Sequence, residues 1–158
     1  DLNILTVSSL LKEKSQDESI LGKDIKDKMD NGDLIEDTVV ISVLKEKVNS
    51  LSNEQILIDG FPRSSIQAES LLEIFVNKDL SIINFEVDDD LLLQRIKKRA
   101  TEESRADDSF FEKRLQIYKK SHLEITNTLK KNYQVTDIQA NDEIHTVTAK
   151  IVDKLGLN

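Results

Sequence analysis

Two kinds of apolar run alternate along this chain. Short β-branched bursts of three to six residues alternate with longer stretches whose apolar positions recur every three or four. Residues 1–6 read as the tail of a strand. Val7 to Lys12 opens a helix, with Ser8 or Ser9 as its cap. Ser19 to Asn31 spaces Ile20, Leu21, Ile25 and Met29 as a helix, and Gly32 closes it. Asp37 is placed to cap the next helix, whose stripe is Val40, Val43, Leu44 and Val48. Ile56-Leu57-Ile58 does not alternate, as expected of a parallel strand covered on both faces. It stops abruptly at Asp59-Gly60. Ala68 to Asn77 predicts a helix with Leu71, Leu72, Phe75 and Val76 inward. Ser81 to Val87 is a strand, and Asp88-Asp89-Asp90 then suits the N-terminus of a helix reaching Arg99. Residues 100–109 have no apolar periodicity. A long helix from Ser109 to Asn132, a strand at Tyr133–Ile138 and a helix from Asp142 to Leu155 complete the chain.

The strands near Asn3–Leu5, Ile56–Ile58, Ile82–Glu86 and Gln134–Thr136 are joined through helical segments. They are expected as parallel neighbours in one sheet, with helices on both faces and with a gap, or a strand from outside these residues, beside Ile56–Ile58. The turn at Asp59-Gly60-Phe61-Pro62-Arg63 then falls at the carboxyl end of a strand, where open α/β sheets place their ligands. Pro62, the single proline, constrains that turn. Gln67 lies four residues beyond Arg63, one helical turn on.

Composition narrows the function. The 158 residues are one domain's worth, 38% hydrophobic and 33% charged, with a net charge of −8. That charge argues against nonspecific binding to nucleic acid or an anionic membrane. There is no cysteine, hence no disulfide and no cysteine zinc site. No run approaches the ~18 apolar residues of a membrane span, and no signal-peptide pattern opens the chain. A cytoplasmic protein is expected. Of 22 basic residues only five are arginine: Arg63, Arg95, Arg99, Arg105 and Arg114. Lysine suffices to charge a surface; arginine's planar fork is needed where phosphate oxygens are gripped two at a time.

Asp59-Gly60-Phe61-Pro62-Arg63 with Gln67 resembles the signature of the adenylate kinases and their nucleoside monophosphate kinase relatives, of the short-lid type. The resemblance implies an α/β, P-loop NTPase-like three-layer fold with a parallel sheet. It also implies phosphoryl transfer from ATP, with Mg2+, to AMP or another nucleoside monophosphate. Arg63 would hold the monophosphate, with Gly60 beside it, and Gln67 would read the adenine edge. Asp59 would sit near the magnesium and its waters. Residues 6–50 are similar to the family's helical monophosphate-binding subdomain. There Leu34 and Ile35 correspond to the pair whose backbone lines the adenine pocket; locally they also read as a plain helix-helix turn. Arg95 and Arg99 share a helix face and match an arginine pair that grips phosphates and the transferring group. Their other reading is a solvated basic helix end. Residues 100–109 resemble a short lid, with Arg105 from its Arg-x-Asp-Asp pattern, and Arg114 resembles the arginine of the helix after the lid. Gln139 and Ala140 correspond to a turn beside the donor base, with Arg95 nearby. His122 reads as a helix-side residue and not a ligand.

The chain departs from the family in two places. Val7, Ser8-Ser9 and Lys12 stand where Thr, Gly-Asp and Arg are usual, so Lys12 would meet the phosphate as a point charge. No Gly-x-x-x-x-Gly-Lys-[Ser/Thr] occurs among the 158 residues. The phosphate loop and the central first strand that precedes it in the family are therefore expected in a longer polypeptide of which this is a piece. Two functions compete: an adenylate-kinase-type phosphotransferase, and a noncatalytic kinase-like module for binding or assembly in a larger protein or complex.

Overall fold

The structure is a computed structural model. It describes residues 2–31, 33–51, 55–76, 79–103 and 111–156, without the side chains of 96, 97, 99–103 and 111–117. The expected cap at Gly32 lies outside these residues. The chain divides into two units, Asp1–Asp79 and Leu80–Asn158.

In the first unit the order is β1 (Leu2–Thr6), α1 (Val7–Lys14), α2 (Ile20–Asn31), α3 (Asp37–Ser50), β2 (Gln55–Asp59) and α4 (Ser65–Ile74). β1 and β2 run parallel, from Leu2 opposite Gln55 to Thr6 opposite Asp59. α1 packs on α2 and α3, and α3 packs on α4. The core gathers Leu5, Val7, Leu10, Leu11, Ile25, Val40, Val43, Leu44, Val48 and Ile74. The expected α3 stripe is therefore its inner face. Gly22 allows α2 to meet the preceding turn, since a Cβ there would lie 2.3 Å from the Asp17 carbonyl oxygen.

Several local expectations are corrected. Thr6, not Ser8 or Ser9, is the extended residue before α1, and its Oγ1 donates to Ser9 Oγ at 2.6 Å. Ile20 is 90% exposed, so α2 is anchored through Ile25 and not through every apolar position. In β2 burial alternates: Ile56 and Ile58 pack on the core, while Leu57 faces the other side with Ile4 and Leu2, all exposed. Period-two geometry decides this, because the core covers only one of the strand's two faces. α4 ends at Ile74, and its buried row is Gln67, Ala68, Leu71 and Ile74. Leu72 and Val76 lie off that row and are exposed; Phe75 packs partly against the core.

The second unit contains β3 (Ile82–Glu86), α5 (Asp89–Glu103), α6 (Phe111–Asn132), β4 (Val135–Gln139) and α7 (Ile144–Leu155). β3 and β4 are parallel, with Ile82 opposite Val135 and Glu86 opposite Gln139. The strand expected at Tyr133–Ile138 is thus set later. Ile125 and Leu129 of α6 are buried, as are Ile138 and Ala140. Polar pairs bridge the two strands: Asn84 Nδ2 donates to Asp137 Oδ1 at 2.8 Å, and Gln139 Nε2 to Glu86 Oε2 at 2.6 Å. α5 begins with Asp89 and Asp90 in its first turn, as the macrodipole favours. It continues through Glu103, four residues into the segment read as a lid loop; residues 104–110 lie outside the described ones. The strands form two parallel pairs, β1–β2 and β3–β4. No ladder joins the pairs among the described residues.

Candidate active site

The first unit's site is built on the turn after β2. Asp59 ends the strand, and Gly60 turns the chain at φ +82°, a conformation L side chains rarely adopt. A Cβ on Gly60 would also stand 2.9 Å from Arg63 Nη2. The Phe61–Pro62 bond is cis. Arg63 Nε donates to the Gly60 carbonyl at 2.9 Å, so the guanidinium folds back over its own turn while remaining exposed. Ser64 then starts α4: its backbone is extended, and its Oγ accepts from Gln67 N at 3.1 Å.

Gln67 is buried, 5% exposed, and both ends of its amide are engaged. Oε1 accepts from the Arg63 backbone N–H at 2.7 Å, and Nε2 donates to Asp37 Oδ1 at 2.7 Å. Asp37 Oδ2 accepts from Ser64 Oγ at 2.7 Å. The expectation that Asp37 caps α3 is corrected. Glu36 is the extended residue before that helix, and Asp37 spends its carboxylate on α4 and the turn. Nothing in the local pattern announces this role, since its partners lie 27 and 30 positions away.

Ahead of α3, Leu34 is 93% exposed while Ile35 packs against the core. The segment is pinned by Glu36, which accepts from Lys28 Nζ at 2.6 Å. That bond holds the Glu36 carboxyl below its usual range. Lys28 is raised in turn, first by Asp24 and then by Glu36. Lys12 lies in the last turn of α1, exposed. No described group pairs with the Asp59 carboxylate, which is also exposed.

In the second unit Arg95 Nη2 donates to the carbonyls of Asn141, at 3.3 Å, and Asp142, at 3.2 Å. This joins Arg95 to the turn after β4. In that turn Ala140 is buried, its N–H donating to Glu86 O at 2.8 Å, and Asn141 Oδ1 accepts from Asp88 N at 2.9 Å. The sequence points to Gln139 and Ala140; the residues that meet Arg95 are the next two. Arg99 and Arg114 lie on α5 and α6, but their side chains are outside the described residues, as is all of Arg105. His122 stacks on Tyr118, with ring centroids 5.4 Å apart.

A family model described as adenylate kinase matches residues 1–137. This chain belongs to the adenylate kinase family. It is 28% identical over 155 residues to an adenylate kinase of Prochlorococcus marinus, covering 96% of this chain and 83% of that protein. An adenylate kinase of Flavobacterium psychrophilum is 30% identical over 163 residues, covering 99% and 86%. One from Borrelia duttonii is 35% identical over 102 residues, covering 63% of this chain and 47% of that protein. The mixed α/β structure with parallel strand pairs and crossover helices accords with the P-loop NTPase-like fold of the family. Membership makes the chain a nucleotide-binding protein of the nucleoside monophosphate kinases, ATP-using transferases.

Such kinases work with magnesium on the nucleotide. Among the described residues no group of three or more His, Cys, Asp or Glu could hold a metal ion. A lone exposed carboxylate fits magnesium all the same, because that ion keeps several waters and takes few protein ligands beside substrate phosphates. Asp59 is an exposed carboxylate of that kind at the end of β2. Among the described residues no helix is long and apolar enough to cross a membrane.

Proposed function

We propose that the protein of which these residues form part moves the terminal phosphoryl group of Mg-ATP to AMP, in the cytoplasm. The carrying observation is the turn at Gly60–Gln67, where the Arg63 side chain is bound to the Gly60 carbonyl and the buried Gln67 amide to the Arg63 backbone N–H. Arg63 then takes the acceptor phosphate with a bidentate fork, and Lys12 adds charge. Gln67 reads the adenine edge, and the backbone at Leu34 and Ile35 lines that base. Gly60 keeps Cβ bulk away from Arg63. On the donor side Arg95, Arg99, Arg114 and, from the lid, Arg105 supply positive charge to the phosphates. The donor base lies by Gln139, Ala140 and Arg95. Asp59 approaches the magnesium through water, and the ion neutralises phosphate charge when bound. Phosphoryl transfer needs positioning and electrostatic stabilisation more than covalent help, so an arginine set is suitable chemistry.

A coupled assay for ADP tests this. These 158 residues carry no Gly-x-x-x-x-Gly-Lys-[Ser/Thr] loop and should give no measurable transfer alone. Joined to a segment carrying that loop, they should convert ATP and AMP to two ADP. A joined protein with an intact loop that is inactive on every nucleoside monophosphate would overturn the proposal.

A further inference from the structure

Gln67 is an amide, and an amide can present its donor and acceptor in either order by turning half a revolution. Adenine offers an amino donor beside a ring-nitrogen acceptor. Hypoxanthine and guanine offer a carbonyl acceptor beside an N–H donor. A freely turning amide suits both edges, so Gln67 by itself does not make a site adenine-specific. Discrimination requires that the amide be prevented from turning.

We infer that Asp37 is a specificity-determining positioning residue that locks the Gln67 amide in its adenine-reading orientation. The inference rests on the function proposed above. Two partners fix the amide independently. The Arg63 backbone N–H can only donate, so Oε1 must face it, at 2.7 Å. The Asp37 carboxylate accepts, so Nε2 must face it, also at 2.7 Å. Turning the amide would set N–H against N–H on one side and oxygen against carboxylate on the other, in a site where Gln67 is only 5% exposed. Asp37 is itself held, because Ser64 Oγ donates to its other oxygen at 2.7 Å while accepting from Gln67 N. The ring of bonds closes on itself. Each end of the Gln67 amide still has one unused valence, an acceptor site on Oε1 and a proton on Nε2. That remaining pair, in that fixed order, complements adenine and opposes hypoxanthine. Asp37 touches neither nucleotide; it acts through Gln67.

Calorimetric titration of these residues joined to a segment carrying the phosphate loop, with AMP and with IMP, tests the inference without requiring turnover. These two ligands differ only in the polarity of the base edge. The unaltered chain should prefer AMP. Asp37→Asn keeps size and shape but supplies a side chain that can donate or accept, releasing one of the two constraints. The AMP:IMP affinity ratio should then fall by roughly tenfold or more. Asp37→Ala, which removes the acceptor altogether, should lower the ratio in the same direction. A merely structural loss at this position would weaken both nucleotides alike and leave the ratio in place. If AMP binds and neither substitution changes the ratio by more than about twofold, the inference is overturned and the proposed function stands. If the joined protein binds no AMP and transfers no phosphoryl group to any nucleoside monophosphate, the proposed function falls and the inference with it.

Discussion

The two units place their guanidinium groups by different means. In the first, Arg63 is oriented by the carbonyl of Gly60, three residues back, inside a turn whose next helix is anchored by Gln67 and Asp37. Behind that turn stands a core with Ile25, Leu44 and Val48 almost fully buried. In the second, Arg95 reaches carbonyls 46 and 47 residues away, and the strands are bridged by polar pairs. Its buried apolar side chains among the described residues are Ile125, Leu129, Ile138 and Ala140. The first unit is thus a seat prepared by local geometry on a dense core. The second positions its arginine through tertiary contacts on an exposed helix. A preorganised site loses little on binding, so the first unit, proposed above as the acceptor side, should be the more sensitive to single substitutions near its turn.

The largest effect on activity is expected at that turn. In an active protein carrying the phosphate loop, Arg63→Ala should lower kcat/KM for AMP by ~10²-fold, about 3 kcal/mol, since charge-assisted bonds to phosphate are lost. KM for ATP should move little. Arg95→Ala should do the reverse, and Arg99→Ala should lower turnover more than acceptor binding. Equal losses on both substrates from Arg63→Ala and Arg95→Ala would erase the distinction between the units. Lys12→Arg should improve AMP use, because the fork grips where a point charge does not.

Next comes the core. Leu44 is 1% exposed, on the helix that packs against both α1 and α4, so Leu44→Ala should cost ~2–5 kcal/mol in denaturant unfolding. Leu57→Ala, on the exposed face of β2, should cost well under half of that in this chain. Gly60→Ala combines a left-handed backbone with a 2.9 Å approach to Arg63 Nη2 and should cost about 1–2 kcal/mol, with weaker AMP use. If Gly60→Ala left both stability and AMP use unchanged, the turn's backbone geometry would have no part in seating Arg63.

What can be read from the sequence divides along the same line. The signature turn, the α3 stripe and the parallel pairing follow from local periodicity and from turn chemistry, which short-range sequence carries. Asp37 reads as a helix cap because an acidic residue at a helix start has a local use, but its distant partners outcompete that use. Leu72 and Leu57 read as inward for a related reason: an apolar run does not say which face the neighbouring elements cover. The Asn141–Asp142 carbonyls cannot be chosen from sequence at all, because backbone acceptors leave no mark on side-chain pattern. Lys28–Glu36 is equally hidden, eight positions apart across the end of a helix.

The smallest effect tests the second unit's polar bridging. The Asp137 carboxyl is held below its ordinary range first by Lys130, at 2.8 Å, and then by Asn84. A depressed carboxyl stabilises the fold while ionised. Its contribution is therefore present above the unfolded aspartate value, around pH 4, and is lost as pH falls through the lower folded value. Both side chains are more than a third exposed, so solvent screening leaves the pair ~0.5 kcal/mol at most. Lys130→Ala should lower unfolding free energy by that amount at pH 7, and the difference from the unaltered chain should close as pH falls well below 4. Raising salt at pH 7 should shrink it too, since an exposed pair is screened. Fluorescence of Tyr133, beside β4 in this unit, would follow urea unfolding at each pH, and a gap that persists at low pH or ignores salt would show that Lys130 acts by packing and not through its charge.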